Sequence, residues 1–115
     1  MKKILLIVLV LIVGCAKEPI NIATLDERDD VSYTKDTNKP YTGAVFDLYK
    51  SGEKRQEFYL KDGKADGKGT SYHENGWIEM QVNWKDGEKD GKWTYYNEDG
   101  SIDKVQEYKM GYYVE

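Results

Sequence analysis

The stretch DGKGTSYHENG at residues 66–76 returns as DGKWTYYNEDG at residues 90–100, 24 positions later. Glycines follow the same period in three columns, which are Gly43, Gly67 and Gly91; Gly52, Gly76 and Gly100; and Gly63, Gly87 and Gly111. A recurrence at one fixed spacing indicates internal repetition. The sequence therefore predicts a repeat domain at residues 31–115, with three units at about 40–63, 64–87 and 88–111.

Each unit has the pattern of a β-hairpin. Residues 74–76 and 98–100 are typical of a three-residue loop, in which a type I turn is followed by a left-handed glycine. The flanks are rich in Tyr, Trp, Val, Thr and Phe, which favour strands. Pro19 and Pro40 both precede the predicted strands, so no proline interrupts one. The predicted fold class is all-β, a single twisted antiparallel meander of consecutive β-hairpins.

With three-residue loops and an even repeat period, the even-numbered side chains of every strand would lie on the same face of the sheet. We therefore expect all even-numbered strand positions on one apolar face and the odd positions on a mostly polar face. The large even-numbered side chains are Phe46, Leu48, Phe58, Leu60, Tyr72, Ile78, Met80, Val82, Trp84, Tyr96, Ile102 and Tyr108.

The odd-numbered face also carries large aromatic side chains, and five of them are candidate binding residues: Tyr49, Tyr59, Trp77, Trp93 and Tyr95. Tyrosine and tryptophan offer a large contact area with a polar tip, which suits a stacking surface for a ligand. The same side chains could instead stabilise the sheet as cross-strand pairs, each contributing about 0.2–1 kcal/mol. A sheet without a second layer favours this structural interpretation.

The N-terminus has the layout of a secretory signal. A basic start is followed by an apolar run at residues 4–13 and then by Gly14 and Cys15. A transmembrane helix needs about 20 apolar residues, roughly twice the length of this run. Residues 1–14 are therefore predicted to be a signal peptide.

Residues 12–15, IVGC, resemble a bacterial lipobox. The resemblance implies cleavage before Cys15, a diacylglyceryl thioether on its sulfur and acylation of its new amino group. Two or more acyl chains hold a protein firmly on a membrane. Ala16 stands where enteric inner-membrane lipoproteins carry Asp, which by the same resemblance favours the outer membrane where the organism has one. The alternatives are a soluble secreted protein with a chance cysteine and an uncleaved apolar tether.

Residues 15–30 are predicted to form the lipidated N-terminus and a flexible acidic linker, because the segment is polar and aperiodic. Alternatively, Ile20, Ile22 and Leu25 could pack onto the edge of the sheet.

The repeated stretches at residues 66–76 and 90–100 resemble the bacterial variant of the MORN repeat, as does NWKDG at residues 83–87. Gly69 departs from the pattern where Trp93 stands one unit later, and Met110 replaces the Asp of the last turn. The resemblance covers about residues 31–113 and implies consecutive hairpins in one long twisted sheet. Members of this family include YwqK-type antitoxins and MORN-repeat lipoproteins, and neither label carries a catalytic motif.

Composition excludes several functional classes. A net charge of −4 argues against a nucleic-acid binder. The single cysteine excludes a disulfide framework. His73 is the only histidine, which leaves little room for a histidine-based metal centre. The Asp-Gly pairs are sufficiently explained by turn geometry, so no metal or cofactor is predicted. The chain is predicted not to be an enzyme.

The predicted function is that of a lipoprotein anchored to the bacterial cell envelope through membrane lipid on Cys15. Its repeat sheet would act as a non-catalytic module that binds or scaffolds a protein or an envelope polymer. The alternative is an antitoxin or immunity-like protein that neutralises a toxin by masking its surface, and an undetected enzyme ranks last.

Overall fold

The computed structural model describes residues 18–114, so the predicted signal peptide and Cys15 lie outside the described residues. The strands are β1 (Ile20–Asn21), β2 (Leu25–Arg28), β3 (Val31–Thr34), β4 (Gly43–Leu48), β5 (Lys54–Lys61), β6 (Lys64–Ala65), β7 (Gly67–Tyr72), β8 (Ile78–Lys85), β9 (Glu88–Lys89), β10 (Gly91–Tyr96), β11 (Ile102–Lys109) and β12 (Tyr112–Val114). A 3₁₀ turn at Ile22–Thr24 joins β1 to β2. Within residues 18–114, no helix has the length and apolar character to cross a membrane.

The strands form a meander, as the sequence predicts. Ten strands make one sheet in the order β1-β4-β5-β7-β8-β10-β11-β12, with β6 paired to β5 and β9 to β8. Every neighbouring pair from β4 onward is antiparallel, whereas β1 joins β4 in parallel. The all-β hairpin fold is therefore confirmed. One feature differs from a single sheet, because β2 and β3 pair with each other as a separate hairpin.

Two kinds of turn alternate along the meander. Three-residue loops close the hairpins, as where the His73 amide donates to the Trp77 carbonyl at 2.8 Å and the Gly76 amide to the His73 carbonyl at 2.9 Å. The predicted three-residue loops are thus confirmed. Two-residue turns connect the units, and in the first of them Asp62 and Gly63 have φ values of 50° and 83°. Positive φ at both positions defines a type I′ turn, whose twist matches that of the flanking strands.

The expectation that even-numbered side chains share one face is wrong, because each hairpin contains a β-bulge. In the first hairpin Asp47 pairs with Gln56 and Leu48 with Lys54, which leaves Arg55 as an extra residue in β5. The same register shift occurs in the second and third hairpins. An extra residue in one strand inverts the alternation between the two strands. Odd positions of β4, β7 and β10 therefore share a face with even positions of β5, β8 and β11.

We call this shared face the packed face and the opposite one the open face. The large side chains of the packed face are Val45, Phe58, Leu60, Met80, Val82, Trp84, Trp93, Tyr95 and Tyr108, as the strand pairings place them. Three even-numbered side chains lie on the open face, although the sequence predicts them on the same face as Leu60. They are Phe46, Tyr72 and Tyr96. Leu60 and Trp84 do share a face, as expected.

The N-terminal segment packs against one end of the packed face. Val45 and Leu60 are 1% and 3% exposed and form a buried cluster with Tyr41. Ile20, Ile22 and Leu25 contact this cluster, so the packed alternative to a flexible linker is the arrangement observed for residues 20–28. Complete burial of an Ile or Leu side chain contributes about 1.5–3 kcal/mol, so these half-buried side chains each contribute a smaller amount that favours docking of the segment on the sheet.

Candidate binding surfaces

The five aromatic residues predicted to bind a ligand do not form one surface. Trp93 and Tyr95 lie on the packed face of β10, whereas Tyr59 lies on the open face of β5. Tyr49 and Trp77 flank three-residue loops at the ends of their hairpins. The β-bulges separate these side chains, because odd numbering corresponds to different faces in the two strands of a hairpin.

Trp93 belongs to a row of aromatic rings that crosses the packed face. Its ring centroid lies 5.1 Å from that of Trp84 and 5.6 Å from that of Tyr108, and Tyr108 lies 5.7 Å from Tyr113. All three contacts are edge-to-face, the arrangement in which aromatic pairs attract each other. Trp93 is only 5% exposed, so its role is to fill the core of the sheet. For Trp93 the structural interpretation therefore describes the arrangement better than ligand stacking.

Tyr49 and Trp77 make contacts between consecutive hairpins. The Tyr49 hydroxyl donates to the Tyr72 carbonyl at 2.6 Å. Trp77 is 53% exposed, and its ring lies where a Cβ at Gly100 would be 2.1 Å from the Trp77 Cζ3 atom. Both residues thus pack against the unit that follows their own.

A hydrogen-bonded pair on the open face perturbs two ionisable groups. The Tyr72 hydroxyl donates to the Glu57 carboxylate at 2.7 Å, and the Lys54 ammonium contacts the other carboxylate oxygen at 2.9 Å. The bond to Glu57 is the main cause that raises the pKa of Tyr72 to about 12. The same bond, followed by that from Lys54, lowers the pKa of Glu57. This network joins β5 to β7 through their side chains.

The C-terminal hairpin, which consists of β11 and β12, concentrates exposed apolar side chains. Its large exposed members are Ile102, Val105, Met110, Tyr112, Tyr113 and Val114, with exposed fractions from 37% to 77%. Within residues 18–114, no strand pairs with the outer edge of β12. Unpaired strand edges are typical of places where another polypeptide docks.

An acidic groove lies between the β2–β3 hairpin and the packed face of the sheet. Its volume is about 620 Å³, within the range of ligand-binding clefts. Four acidic residues are among those that line it: Glu27, Asp29, Asp30 and Asp86. Sequence reasoning missed this group, because it assigned Glu27, Asp29 and Asp30 to a flexible linker and Asp86 to a turn. The run DERDD at residues 26–30 was the available signal, but its approach to Asp86 depends on the tertiary packing.

No group of three or more His, Cys, Asp or Glu side chains suited to holding a metal ion is found in the described part of the chain. His73 is half-buried, and its Nε2 atom lies 3.2 Å from the Tyr96 carbonyl oxygen.

Two of the three units are similar to a known family of repeats. Residues 65–86 and 89–110 are similar to the MORN repeat variant. The matched ranges correspond to the second and third units of the 24-residue pattern. No curated protein and no solved structure matches the chain.

Proposed function

We propose that this chain, with its two MORN-variant repeats, is a lipoprotein of the bacterial cell envelope whose sheet acts as a non-catalytic binding or scaffold module. The partner would be a protein or an envelope polymer. The observation that carries the proposal is the concentration of exposed apolar side chains on the C-terminal hairpin, next to an unpaired strand edge. MORN-type repeats commonly serve as binding or scaffold modules, which is compatible with this role.

The exposure on the C-terminal hairpin is large for a protein surface. Tyr112 is 77% exposed and Met110 is 66% exposed. Aromatic residues and methionine are enriched in protein–protein interfaces relative to the rest of the surface. A partner that covered β12 would bury these side chains and pair its free backbone groups.

The geometry of the sheet fits an anchor at its opposite edge. Four residues lie between Cys15 and the start of β1 at Ile20, and the five steps along the chain span at most about 18 Å. An acylated Cys15 would therefore hold β1 and β4 near the lipid, with the outer membrane as the expected location. Eight strands at a spacing of about 4.8 Å then place β12 about 34 Å from β1 across the sheet. This arrangement presents the C-terminal hairpin away from the anchored edge.

The anchor is tested by metabolic labelling with a fatty acid. Labelled palmitate should enter the wild-type chain and not Cys15→Ala, because the thioether and the new amino terminus both depend on this residue. Equal labelling of both chains would contradict the lipid anchor.

The binding surface is tested by site-specific photo-crosslinking in the native envelope. A photoreactive amino acid in place of Tyr112 should give a discrete adduct, whereas the same group in place of Lys50, an exposed residue in the first hairpin loop, should not. Mass spectrometry of the adduct then identifies the partner. The same adduct pattern at both positions would contradict a binding role for the C-terminal hairpin.

Toxin masking is a second candidate function, and the acidic groove is the observation that favours it. A basic toxin would be attracted to four clustered carboxylates, since complementary charge speeds and orients association. In this case a photoreactive amino acid in place of Asp30, at the groove, should capture a partner that is toxic when it is produced alone in the envelope, and co-production of this chain should restore growth. A harmless partner would contradict the toxin-masking role.

A further inference from the structure

We propose that the apolar floor of the acidic groove binds a tryptophan side chain of a partner polypeptide. The inference rests on the proposed function as a binding module, and it names the group that a second surface of the sheet would take. It follows from a comparison of the repeat units, because the third unit fills the equivalent place with its own tryptophan and the second unit has a glycine there.

The three units differ at one equivalent position of the packed face, which is occupied by Val45, Gly69 and Trp93. Each of these residues pairs with the second strand of its own hairpin at the same register. Val45 is 1% exposed, in the cluster that the N-terminal segment contacts, and Trp93 is 5% exposed, in the row of aromatic rings. The second unit alone supplies no side chain at this position.

The surroundings of Trp93 indicate which group fits between two such neighbours. The Trp93 ring centroid lies 5.1 Å from that of Trp84 and 5.6 Å from that of Tyr108, and both contacts are edge-to-face. One unit earlier, the residues at the positions of Trp84 and Tyr108 are Leu60 and Trp84. A ring that lay over β7, between Leu60 and Trp84, would contact the side of Trp84 that faces away from Trp93. Aromatic rings attract each other in this arrangement.

A cavity is present at this place, and it is open to a group from outside the chain. Phe58, Leu60 and Trp84 are among the residues that line the groove, whose volume is about 620 Å³. The space is narrow directly above Gly69, where a Cβ would lie 3.1 Å from the Phe58 Cβ atom and 3.2 Å from the Val82 Cγ2 atom. A side chain at position 69 would have to displace these neighbours by a few tenths of an ångström, whereas a ring that enters the groove from solvent would not.

A backbone carbonyl offers a hydrogen-bond acceptor to the N–H of an entering indole. The Asn83 carbonyl accepts two hydrogen bonds, from the Asp90 amide at 3.0 Å and from the Trp93 Nε1 atom at 2.8 Å. The equivalent carbonyl of Tyr59 accepts the Asp66 amide at 2.9 Å. A carbonyl oxygen has two lone pairs, and a glycine at position 69 brings no side-chain donor to the second one. An entering indole would donate to Tyr59 as Trp93 donates to Asn83.

The size and the charge of the groove favour a tryptophan that belongs to a polypeptide. A volume of about 620 Å³ is typical of sites for ligands larger than one indole ring, so neighbouring residues of a polypeptide fit beside the ring. The four acidic residues of the groove disfavour free indole compounds that carry a carboxylate. Tryptophan is also among the side chains that contribute most to binding at protein interfaces.

The test uses the full chain in lipid nanodiscs and a capped pentapeptide that has a fluorinated tryptophan between two pairs of glycines. The fluorine nuclear magnetic resonance signal of this probe should shift saturably, with a roughly millimolar dissociation constant, as expected for one recognised side chain. Absence of saturable binding would overturn the proposal.

Unlabelled competitors define the group that is recognised. The tryptophan peptide should displace the probe about threefold to tenfold more effectively than the same peptide with benzothienylalanine, which keeps the shape of the ring and lacks the N–H donor. The leucine peptide and free indole should also compete less effectively than the tryptophan peptide. Equal competition by any of these three compounds would overturn the proposal.

A matched pair of variants tests whether the peptide binds on the packed face of β7. Gly69→Trp brings an indole of the chain's own to this place and should abolish binding of the peptide. Thr70→Trp adds the same side chain to the open face of β7 and should change the dissociation constant less than about twofold. Equal effects of the two substitutions in folded protein would overturn the proposal.

A second pair of variants decides the question where the contacts above Gly69 prevent Gly69→Trp from folding. Ala65 lines the same groove, and its counterpart one unit later is Lys89, whose ammonium lies 4.6 Å from the centroid of the Trp93 ring. Ala65→Leu narrows the groove and should weaken binding about fivefold, whereas Lys89→Leu should change it less than about twofold. Unchanged binding by Ala65→Leu would overturn the proposal.

These experiments can fail independently of the proposed function. If the Tyr112 adduct forms in the native envelope while the tryptophan peptide does not bind, the binding module stands and the inference about the groove is wrong. If the peptide binds as described and no Tyr112 adduct forms, the inference stands and the role of the C-terminal hairpin is wrong.

Discussion

Substitution of Gly63 by alanine probes the contact on which the acidic groove depends. Gly63, Gly87 and Gly111 are the second residues of equivalent two-residue turns, and their φ values are 83°, 83° and 88°. A side chain in this conformation costs about 1–2 kcal/mol, so alanine should destabilise the fold by that amount at all three positions. Any larger effect at one position must come from its surroundings.

The surroundings of Gly63 differ sharply from those of the other two glycines. A Cβ on Gly63 would lie 2.4 Å from Val31 Cγ1 and 2.8 Å from the Ser32 carbonyl oxygen, whereas a Cβ on Gly87 or Gly111 would have no neighbour closer than 3.7 Å. The Ser32 amide also donates to the Gly63 carbonyl at 2.9 Å. Because a backbone atom cannot rotate away, β3 must move. Overpacking of this kind costs about 1–3 kcal/mol beyond the strain shared by all three turns.

Urea unfolding of the three alanine variants measures this difference. We expect Gly63→Ala to lose about 1–3 kcal/mol more free energy of unfolding than Gly87→Ala, at an unchanged denaturant slope. Gly111→Ala serves as a second control for the strain of the turn alone. If all three variants lie within about 0.5 kcal/mol of one another, the docking of the β2–β3 hairpin on the first turn is wrong.

Three further predictions concern individual side chains. Trp93→Ala should cost about 3–5 kcal/mol in free energy of unfolding, because the side chain is 5% exposed and contacts two rings. Trp77→Ala should cost about 1 kcal/mol or less by the same urea measurement, since the residue is 53% exposed. Tyr72→Phe should cost about 1 kcal/mol at neutral pH, a value reduced from that of a buried charged hydrogen bond because Glu57 is 41% exposed. In the folded state, hydrogen bonding lowers the pKa of Glu57 below its ordinary value of 4.5. The stabilisation from this hydrogen bond is therefore fully present above pH 4.5 and is lost as the pH falls through the lowered pKa. The stability difference between wild type and Tyr72→Phe should therefore shrink in acid, and a difference that stays constant down to pH 2 would contradict this assignment.

The elements and turns of the repeat domain were predictable from the sequence because they depend on local conformation. Glycine at the left-handed position of a three-residue loop, and Asp-Gly in a two-residue turn, each favour one backbone path. Which side chains share a face of the sheet could not be predicted from local conformation. The bulges at Arg55, Glu79 and Asp103 carry no proline or glycine that would reveal them, and each one inverts the alternation on which the parity argument depended.

The candidate sites show the same division between local and tertiary information. The candidate aromatic residues were selected by odd numbering, and the bulges place them on different faces, so Trp93 lies in the core while Tyr59 is 44% exposed. The C-terminal hairpin was within reach of sequence reasoning, because the run MGYYV at residues 110–114 is visibly apolar. This hairpin is exposed because β12 is the last strand in the sheet, and composition does not reveal the strand order.

The sequence by itself determined the repeat period, the hairpin loops and the antiparallel meander, since each of these depends on residues within one or two units. Only the tertiary structure decided which side chains share a face and how the N-terminal segment docks. Glu27, Asp29 and Asp30 line the same groove as Asp86 because β3 hydrogen-bonds to the first two-residue turn through Ser32 and Gly63. That contact joins parts of the chain about 30 residues apart. It is determined by packing against the sheet and has no local signature.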